Sequence, residues 1–391
     1  MGRRHLVLLS PAEHEGEIIM RAALVLTALM AAACAREQAP ALIEAAGAPA
    51  ASPAVKVETL ATGLKFPWSM AFTPDGDILI VEKTGGLRVF RNGALLSDAV
   101  SGLPGDVMIN ADSGYHDITL DPDFVTTRRV FIAYAQGDDD ANRLAVWRAR
   151  LENGRLVDGV VIFRAAPDKK GPSHSGGRMA FLADKTFLVS VGDGYDYRNE
   201  AQNLSSDLGK ILRLDRDGNP PADNPFAGRA DARAEIYTYG HRNPQGLTTD
   251  PETGAVWEEE HGPRGGDEIN RLTAGANYGW PLTTNGIDYD GTLVSERAHM
   301  AGVTSPLLVW APSIAPSGLA IYRGKEFADW EGHFLSGGLA SKSLVRSQID
   351  NEGRSIKEIE RLLDDPGARI RDVRTGPDGF VYVLTDEAEG R

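Results

Sequence analysis

Apolar and polar residues alternate with a period of two along most of this chain. In FTPDGDILIVEKTGGLRVF, from Phe72, residues Ile78 and Ile80 share one face of an extended segment, and in GPDGFVYVLTDE, from Gly376, Val381 and Val383 do the same. Each run follows a Pro-Asp-Gly turn, in which Pro presets one backbone angle and Gly accepts the next. LDPDFVTTRRVFIAYA, from Leu120, is a third clear copy. FLADKTFLVSVGDG from Phe181, TTDPETGAVWEEEHG from Thr248 and IYRGKEFADWEGHFLSGG from Ile321 are weaker ones. Helical periodicity is nearly absent after residue 55. Six turn-then-strand units predict an all-β fold, a six-bladed β-propeller of four-stranded antiparallel blades over residues 55–391, whose radial closure limits exposed edges. An array of β-sandwiches is the alternative. The long stretches 194–235 and 262–310 between units are expected to lie on one face and to carry function.

The first 54 residues read differently. From Met20 the sequence MRAALVLTALMAAAC sets an Arg before a short apolar run and small residues, the layout of a secretion signal, and the run is too short to span a bilayer. Small residues directly before Cys34 resemble a bacterial lipobox, with Ala31 where Leu is usual. Two processing routes are open: lipidation at Cys34, or a plain signal peptide cut between Ala33 and Ala51. Residues 1–19 have no signal-like logic of their own, so Met20 is a candidate start. The expectation is an exported, periplasmic protein, with residues 1–54 a signal or lipoprotein-like segment and a disordered Ala/Pro-rich linker.

Composition narrows the function. A formal charge of −14 and a pI near 5.1 argue against nucleic acid or an anionic membrane surface as partner. Gly (43) and Pro (22), spread without a period, suit many short strands joined by tight turns. One cysteine excludes an internal disulfide.

Four segments carry candidate chemistry. GPSHSGGRMAF places His174 in a Ser/Gly-rich loop, and VGDG places Asp193 after the next strand; a carboxylate beside an imidazole fixes its tautomer and raises its basicity, so the pair is a candidate general base with its orienting partner. YGHRNPQGL sets Arg242 and Asn243 before Pro244, and a forked guanidinium there suits a carboxylate or quinone oxygen. In HGPRGGDEIN, Gly262, Gly265 and Gly266 around Pro263 let backbone carbonyls turn toward one point, hard oxygen donors of the kind calcium takes, with Asp267 and Glu268 as further candidates. GARIRDVRTGPDG puts Arg369 and Arg371 on one side of an extended segment, a seat for a polycarboxylate or phosphate. Each segment also has a bland reading: a packed histidine, a solvated turn, a metal-free acidic loop or an exposed strand face.

Together, HSGGR with VGDG, GHRNPQG, GPRGGDEIN followed by NYGWP, and RIRDV before PDG resemble the soluble PQQ-dependent aldose sugar dehydrogenases of the glucose/sorbosone dehydrogenase family, over roughly residues 55–388. The resemblance implies oxidation of an aldose at the anomeric carbon to the lactone, with pyrroloquinoline quinone (PQQ) and calcium as cofactors. His174 would be the base, Asp193 its orienting partner, Arg242 and Asn243 contacts to the PQQ carbonyl region, and Arg369 and Arg371 contacts to its carboxylates. The carbonyls of Gly262 and Pro263 would hold the catalytic calcium. Glu268, with the backbone of Tyr278, would form a second calcium site, and Gln202 would line the cofactor pocket.

Three departures stand out. Asp112 occupies the place of a usual Gln, which bears on substrate choice, and His116 fills a usually apolar position. Where the glucose enzymes carry a cofactor lysine, this chain offers Ala340 with Lys342 nearby. The chain also stops soon after TDEAEGR, where relatives continue through another strand, so imperfect closure of the last blade is expected. The partners are then a small aldose and an electron acceptor of unspecified kind, the protein being a monomer or homodimer. Two other functions compete: a calcium-dependent lactonase, which wants carboxylate and Asn side chains converging on an axial metal, and a non-catalytic binding propeller.

Overall fold

Each of the six turn-then-strand units becomes the turn between an innermost strand and its neighbour. The computed structural model describes residues 7–11, 55–350, 352–363 and 367–391, and the signal-like and linker segments expected between residues 20 and 54 lie outside them. Phe72 ends the strand Pro67–Phe72 and Ile78–Glu82 follows; Leu120 ends Tyr115–Leu120 and Arg129–Gly137 follows. The same step joins Met179–Phe181 to Phe187–Val191, Pro244–Thr249 to Val256–Glu260, Pro316–Ile321 to Phe334–Gly338, and Ile370–Thr375 to Val381–Thr385. In all but one of these pairs the following strand is buried along its whole length. It is packed on both faces between neighbouring sheets, so most of these runs are apolar beyond simple alternation, the exception being VWEEE at Val256–Glu260.

The result is an all-β propeller of four-stranded antiparallel blades. Five blades are each built from one continuous stretch of chain, beginning at Pro67, Tyr115, Met179, Pro244 and Pro316. Each has its strands in sequence order across the sheet, the simplest path for short connections. A further four-stranded sheet draws on both chain ends, in the order Val55–Glu58, Val7–Pro11, Val381–Thr385, Ile370–Thr375. The expected six equivalent blades are therefore realised as five locally completed ones and a composite seam. Val7–Pro11, which nothing in the sequence pattern singled out, pairs antiparallel with Val381–Thr385 (Leu9 opposite Val381) and with Val55–Glu58 (Pro11 opposite Val55).

Apolar clusters between sheets close the circle. Trp68, Leu79, Ile118, Val130 and Tyr134 join the first two blades, and Phe131, Val146, Phe187 and Leu212 the next two. Leu188, Ile211, Leu247 and Leu272 continue the ring, followed by Trp257, Ile269, Leu319 and Phe334. Tyr322, Leu335, Val373 and Val383 bind the last continuous blade to the seam, and Met70, Ile80, Tyr382 and Leu384 return from the seam to the first blade. The stretches expected to be insertions are only partly so: 194–235 contains the strand Lys210–Leu214, and 262–310 contains Asp267–Leu272 and Leu308–Trp310.

Five of the six innermost strands break register near their starts, at Pro67/Ser69, Tyr115/Ile118, Pro244/Gly246, Ser317/Leu319 and Ile370/Asp372. A bulge re-aims side chains at a barrel or propeller rim, and here it delivers polar groups to the axis. Arg178, 1% exposed, fills that axis. Its guanidinium donates to Asp372 Oδ1 (2.8 Å), Gln245 O (2.7 Å) and Arg371 O (2.8 Å) and lies 4.0 Å from the Trp68 ring. Arg374 bridges Asp372 and Asp117, each at 3.1 Å. One guanidinium thus ties together innermost strands of four sheets.

Candidate active site

The loop 171–177 and the strand Phe187–Val191 bring the first pair together. His174 Nδ1 lies 2.7 Å from Asp193 Oδ1, and both residues are buried. His174 adopts φ +55°, a left-handed conformation that histidine tolerates better than bulkier residues. The glycines around it are required by close approach: a Cβ on Gly192 would sit 2.3 Å from His174 O, and one on Gly176 2.7 Å from Ser190 O. Asp193 also accepts from Tyr195 N (2.8 Å) at Oδ1 and from Trp280 Nε1 (2.7 Å) at Oδ2. Burial lowers the His174 pKa, opposed by its bond to Asp193. Burial thus favours a neutral imidazole, whose Nδ1 faces the carboxylate.

Arg242 stands beside this dyad. Its carbonyl accepts from Asp193 N (2.7 Å), its N–H donates to Glu260 Oε2, and its guanidinium lies 5.4 Å from the Trp280 ring and 5.9 Å from the Tyr289 ring. Nη1 donates to Gly262 O (2.5 Å) and His261 O (3.1 Å). Asn243 is buried, with Oδ1 accepting from Gln245 Nε2 at 3.2 Å.

Arg369 and Arg371 converge as the sequence suggests, and on a group it did not: both reach Asp386 Oδ2, at 3.0 and 2.9 Å. These two cations hold the Asp386 carboxyl below its usual range, against the opposing effect of burial. Arg371 Nε is a buried donor without a partner among the described residues. Lys83, whose pKa burial lowers, lies within the field of Asp386, Arg371, Asp112 and Arg369 and donates to Ala111 O (2.8 Å).

The two metal sets fare differently. Gly262 O accepts from Arg242, and Pro263 O from Ser313 Oγ (3.4 Å), so a cation seated on these carbonyls would meet a guanidinium. Glu268 belongs to a buried acidic group instead. A small cavity is lined by Arg242, Glu260, His261, Glu268, Tyr278 and Trp280, among others, and ligand atoms of His241, Glu258 and Glu260 lie within 4.8 Å of one another. Burial, reinforced by Glu260, pushes Glu258 well above the carboxylate range and Glu268 up to about 8. Glu258 Oε1 has no partner among the described residues. A buried acidic cluster with such an oxygen to spare fits a hard cation, which removes the repulsion that raises these groups. The Tyr278 hydroxyl is committed to Arg271 O (2.7 Å) and Thr273 N (2.9 Å), leaving only its backbone for a metal.

Gln202 does not face the pocket with a free amide. It exchanges bonds with Asn277 (2.9 and 2.8 Å) and donates to Trp280 O (2.7 Å), so it holds the NYGW turn. His116 is a packed residue, 2% exposed, tilted against Trp68, with Nδ1 on Gly176 O (3.1 Å) and its pKa pushed down to about 3 by burial. Asp112 is exposed, and its charge partly opposes the burial that lowers the pKa of Lys83, Lys169 and His174. Lys342 is a turn residue at φ +56°. The axis that a lactonase would fill with metal-binding groups holds Arg178, its cation satisfied by Asp372 and backbone carbonyls. Sequence reasoning missed Trp280, Asp386, Glu258 and Glu260. EEE at 258–260 was a readable signal, since three consecutive acids in a strand cannot all reach solvent.

Comparison with known proteins agrees with this geometry. The chain is 41% identical over 347 residues to the aldose sugar dehydrogenase YliI of Escherichia coli, covering 87% of this chain and 92% of that one. It is 27% identical over 416 residues to the quinoprotein glucose dehydrogenase B of Acinetobacter calcoaceticus, covering 85% of each. Among solved structures, the apo form of the soluble aldose sugar dehydrogenase of E. coli superposes with a TM-score of 0.81 at 41% identity, covering 85% of this chain and 96% of that one. The PQQ-bound aldose sugar dehydrogenase of Streptomyces coelicolor gives 0.69 at 28% identity, covering 84% and 90%. The glucose/sorbosone dehydrogenase profile matches residues 64–391, and the chain belongs to that family of sugar dehydrogenases.

Proposed function

We propose that this protein is a PQQ- and calcium-dependent aldose sugar dehydrogenase that oxidises the anomeric carbon to the lactone. The observation that carries the proposal is the neutral His174, anchored on Asp193 at 2.7 Å, beside Arg242. The PQQ-bound relative and the quinoprotein relative support the cofactor assignment. The donor set fits a polyanionic quinone: Arg242, Asn243, Arg369 and Arg371 supply cationic and amide groups, and the orphaned Arg371 Nε is a donor awaiting an acceptor.

PQQ, when bound, would supply a two-electron acceptor for a hydride from the anomeric carbon. His174 Nε2 takes the proton of the anomeric hydroxyl in the same step, and Asp193 stabilises the imidazolium and holds its orientation. Arg242 places a fixed positive charge where negative charge gathers. Calcium is assigned to Glu258, Glu260 and Glu268 with the backbone of Tyr278, where it neutralises a buried acidic cluster. The Gly262 and Pro263 carbonyls do not fit a second calcium while Arg242 holds its place. In this reading the protein is exported and periplasmic, either free or lipid-anchored at Cys34, and the composite seam, which draws Val7–Pro11 from outside residues 55–391, counts as a sixth blade of the uncleaved chain.

Apoprotein given PQQ and calcium should reduce an artificial dye with glucose. His174→Asn should keep the PQQ complex while lowering turnover by about 10²- to 10⁴-fold. Near-normal turnover in that variant removes the histidine from the mechanism, and no PQQ binding by the unaltered protein defeats the whole assignment.

A further inference from the structure

Asp193 can orient His174 only if its own carboxylate is fixed, and the terminal torsion of an aspartate is soft. Oδ1 is held by His174 Nδ1 (2.7 Å) and Tyr195 N (2.8 Å). Oδ2 is held by one group, the indole N–H of Trp280 (2.7 Å). The indole is a donor only and does not titrate, so this bond persists at every working pH. The ring that carries it also lies 5.4 Å from the Arg242 guanidinium. Trp280 is itself pinned: its backbone N–H donates to Gly240 O (2.9 Å), and its backbone carbonyl accepts from the Gln202 amide (2.7 Å), which Asn277 locks in turn. It is 6% exposed.

We infer that Trp280 is a positioning residue for the base: its indole N–H fixes the Asp193 carboxylate on His174, and its ring seats Arg242 against the same dyad. The inference deepens the proposed dehydrogenase function and rests on that reading for its catalytic meaning. Two consequences follow from the chemistry. The indole bond spreads the Asp193 charge and so weakens its pull on an imidazolium proton, helping to keep His174 neutral. It also ties the proton-accepting group and the fixed cation to one rigid side chain, so their spacing is set once.

His174 is faced by Asp193, Arg242, Tyr195, Asp112 and His261, with Lys169 beside Asp193. None of these is altered by Trp280→Phe, which keeps a ring over Arg242 and deletes the donor. In the apoprotein, followed by NMR, the His174 titration should move up by about half a unit to one unit, since the carboxylate that loses a donor attracts the imidazolium more strongly. In the PQQ-loaded protein, kcat should fall about tenfold with the sugar KM within about threefold, the pattern for an interaction realised in the transition state. If Trp280→Phe does not fold, the unaltered protein still decides: the Trp280 indole N–H resonance should resist solvent exchange and shift in step with the His174 titration. A His174 titration within about 0.2 unit of the parent, or an indole N–H exchanging at the solvent rate, overturns the inference. Failure to bind PQQ would defeat the proposed function while leaving the apoprotein titration to be read on its own.

Discussion

Replacing Arg178 with Met tests how far the axis holds the propeller together. The side chain is wholly buried and donates to an aspartate, two backbone carbonyls and, at 3.4 Å, the Ser317 hydroxyl. Met matches its length and apolar stem but strips Asp372 Oδ1 and Gln245 O of this donor, while Arg371 O keeps the Ser317 hydroxyl (2.8 Å). It also leaves Asp117 and Asp372 with Arg374 as their one remaining cationic bridge. Removing one partner of a buried pair costs about 3–5 kcal/mol, because a charge stays behind in a low-dielectric site. With m-values in guanidinium chloride roughly twice the urea range of about 1–3 kcal/mol/M, the unfolding midpoint should drop by about 0.5–2.5 M. Arg178→Lys should fall between, since an ammonium reaches fewer acceptors than the fork. Adding Asp372→Asn to Arg178→Met should restore part of the loss by removing the stranded charge. A midpoint lowered by less than about 0.2 M, or raised, would show that the axis is held by apolar packing and that the guanidinium is only tolerated there.

Arg371→Gln should weaken PQQ binding by about tenfold to a hundredfold in a calorimetric titration, since a charged hydrogen bond is worth about 1.5–3 kcal/mol. Asp386→Asn should do the reverse, tightening PQQ by about threefold to tenfold, because that carboxylate shares the two arginines with the incoming one; weaker binding would mean that Asp386 orients them instead. His116, held at about 3 when folded, stays neutral while the unfolded chain takes up a proton below pH 6.5, so its share of stability is lost as pH falls from 6.5 toward 3. His116→Asn should therefore lose about 2 kcal/mol less than the parent between pH 6.5 and 5 in denaturant melts, with turnover within a few-fold. Calcium at a hundred times its Kd should add about 2.7 kcal/mol of stability, and Glu268→Gln should abolish most of that gain.

The blades were legible because their signal is local: a Pro-Asp-Gly turn and the alternating strand after it lie within some fifteen residues, as from Phe72 or Gly376. The His174–Asp193 pair was legible for a similar reason, since one hairpin joins them. Asp386 was not, because nothing in TDEAEGR says that the chain turns back onto Arg369 and Arg371. Arg178 stood in plain view within HSGGR, but its partners come from residues 245, 317, 371 and 372, and only ring closure brings those strands to one point. Gln202 was assigned to the pocket by family likeness, and the reciprocal amide pair with Asn277 shows it acting one layer behind, on the turn that presents Trp280.

The seam sheet carries a consequence for biogenesis. Its second strand, Val7–Pro11, lies upstream of the apolar run that begins after Met20, so any cleavage at or after Ala33 discards it. A chain processed that way keeps Val381–Thr385 but loses the neighbour that covers its outer backbone groups, and Val55–Glu58 loses the strand through which it joins the sheet. A bare edge of this kind is a template for pairing. Were the chain cleaved downstream of Val7–Pro11, closing the seam would call for another segment along Val381–Thr385.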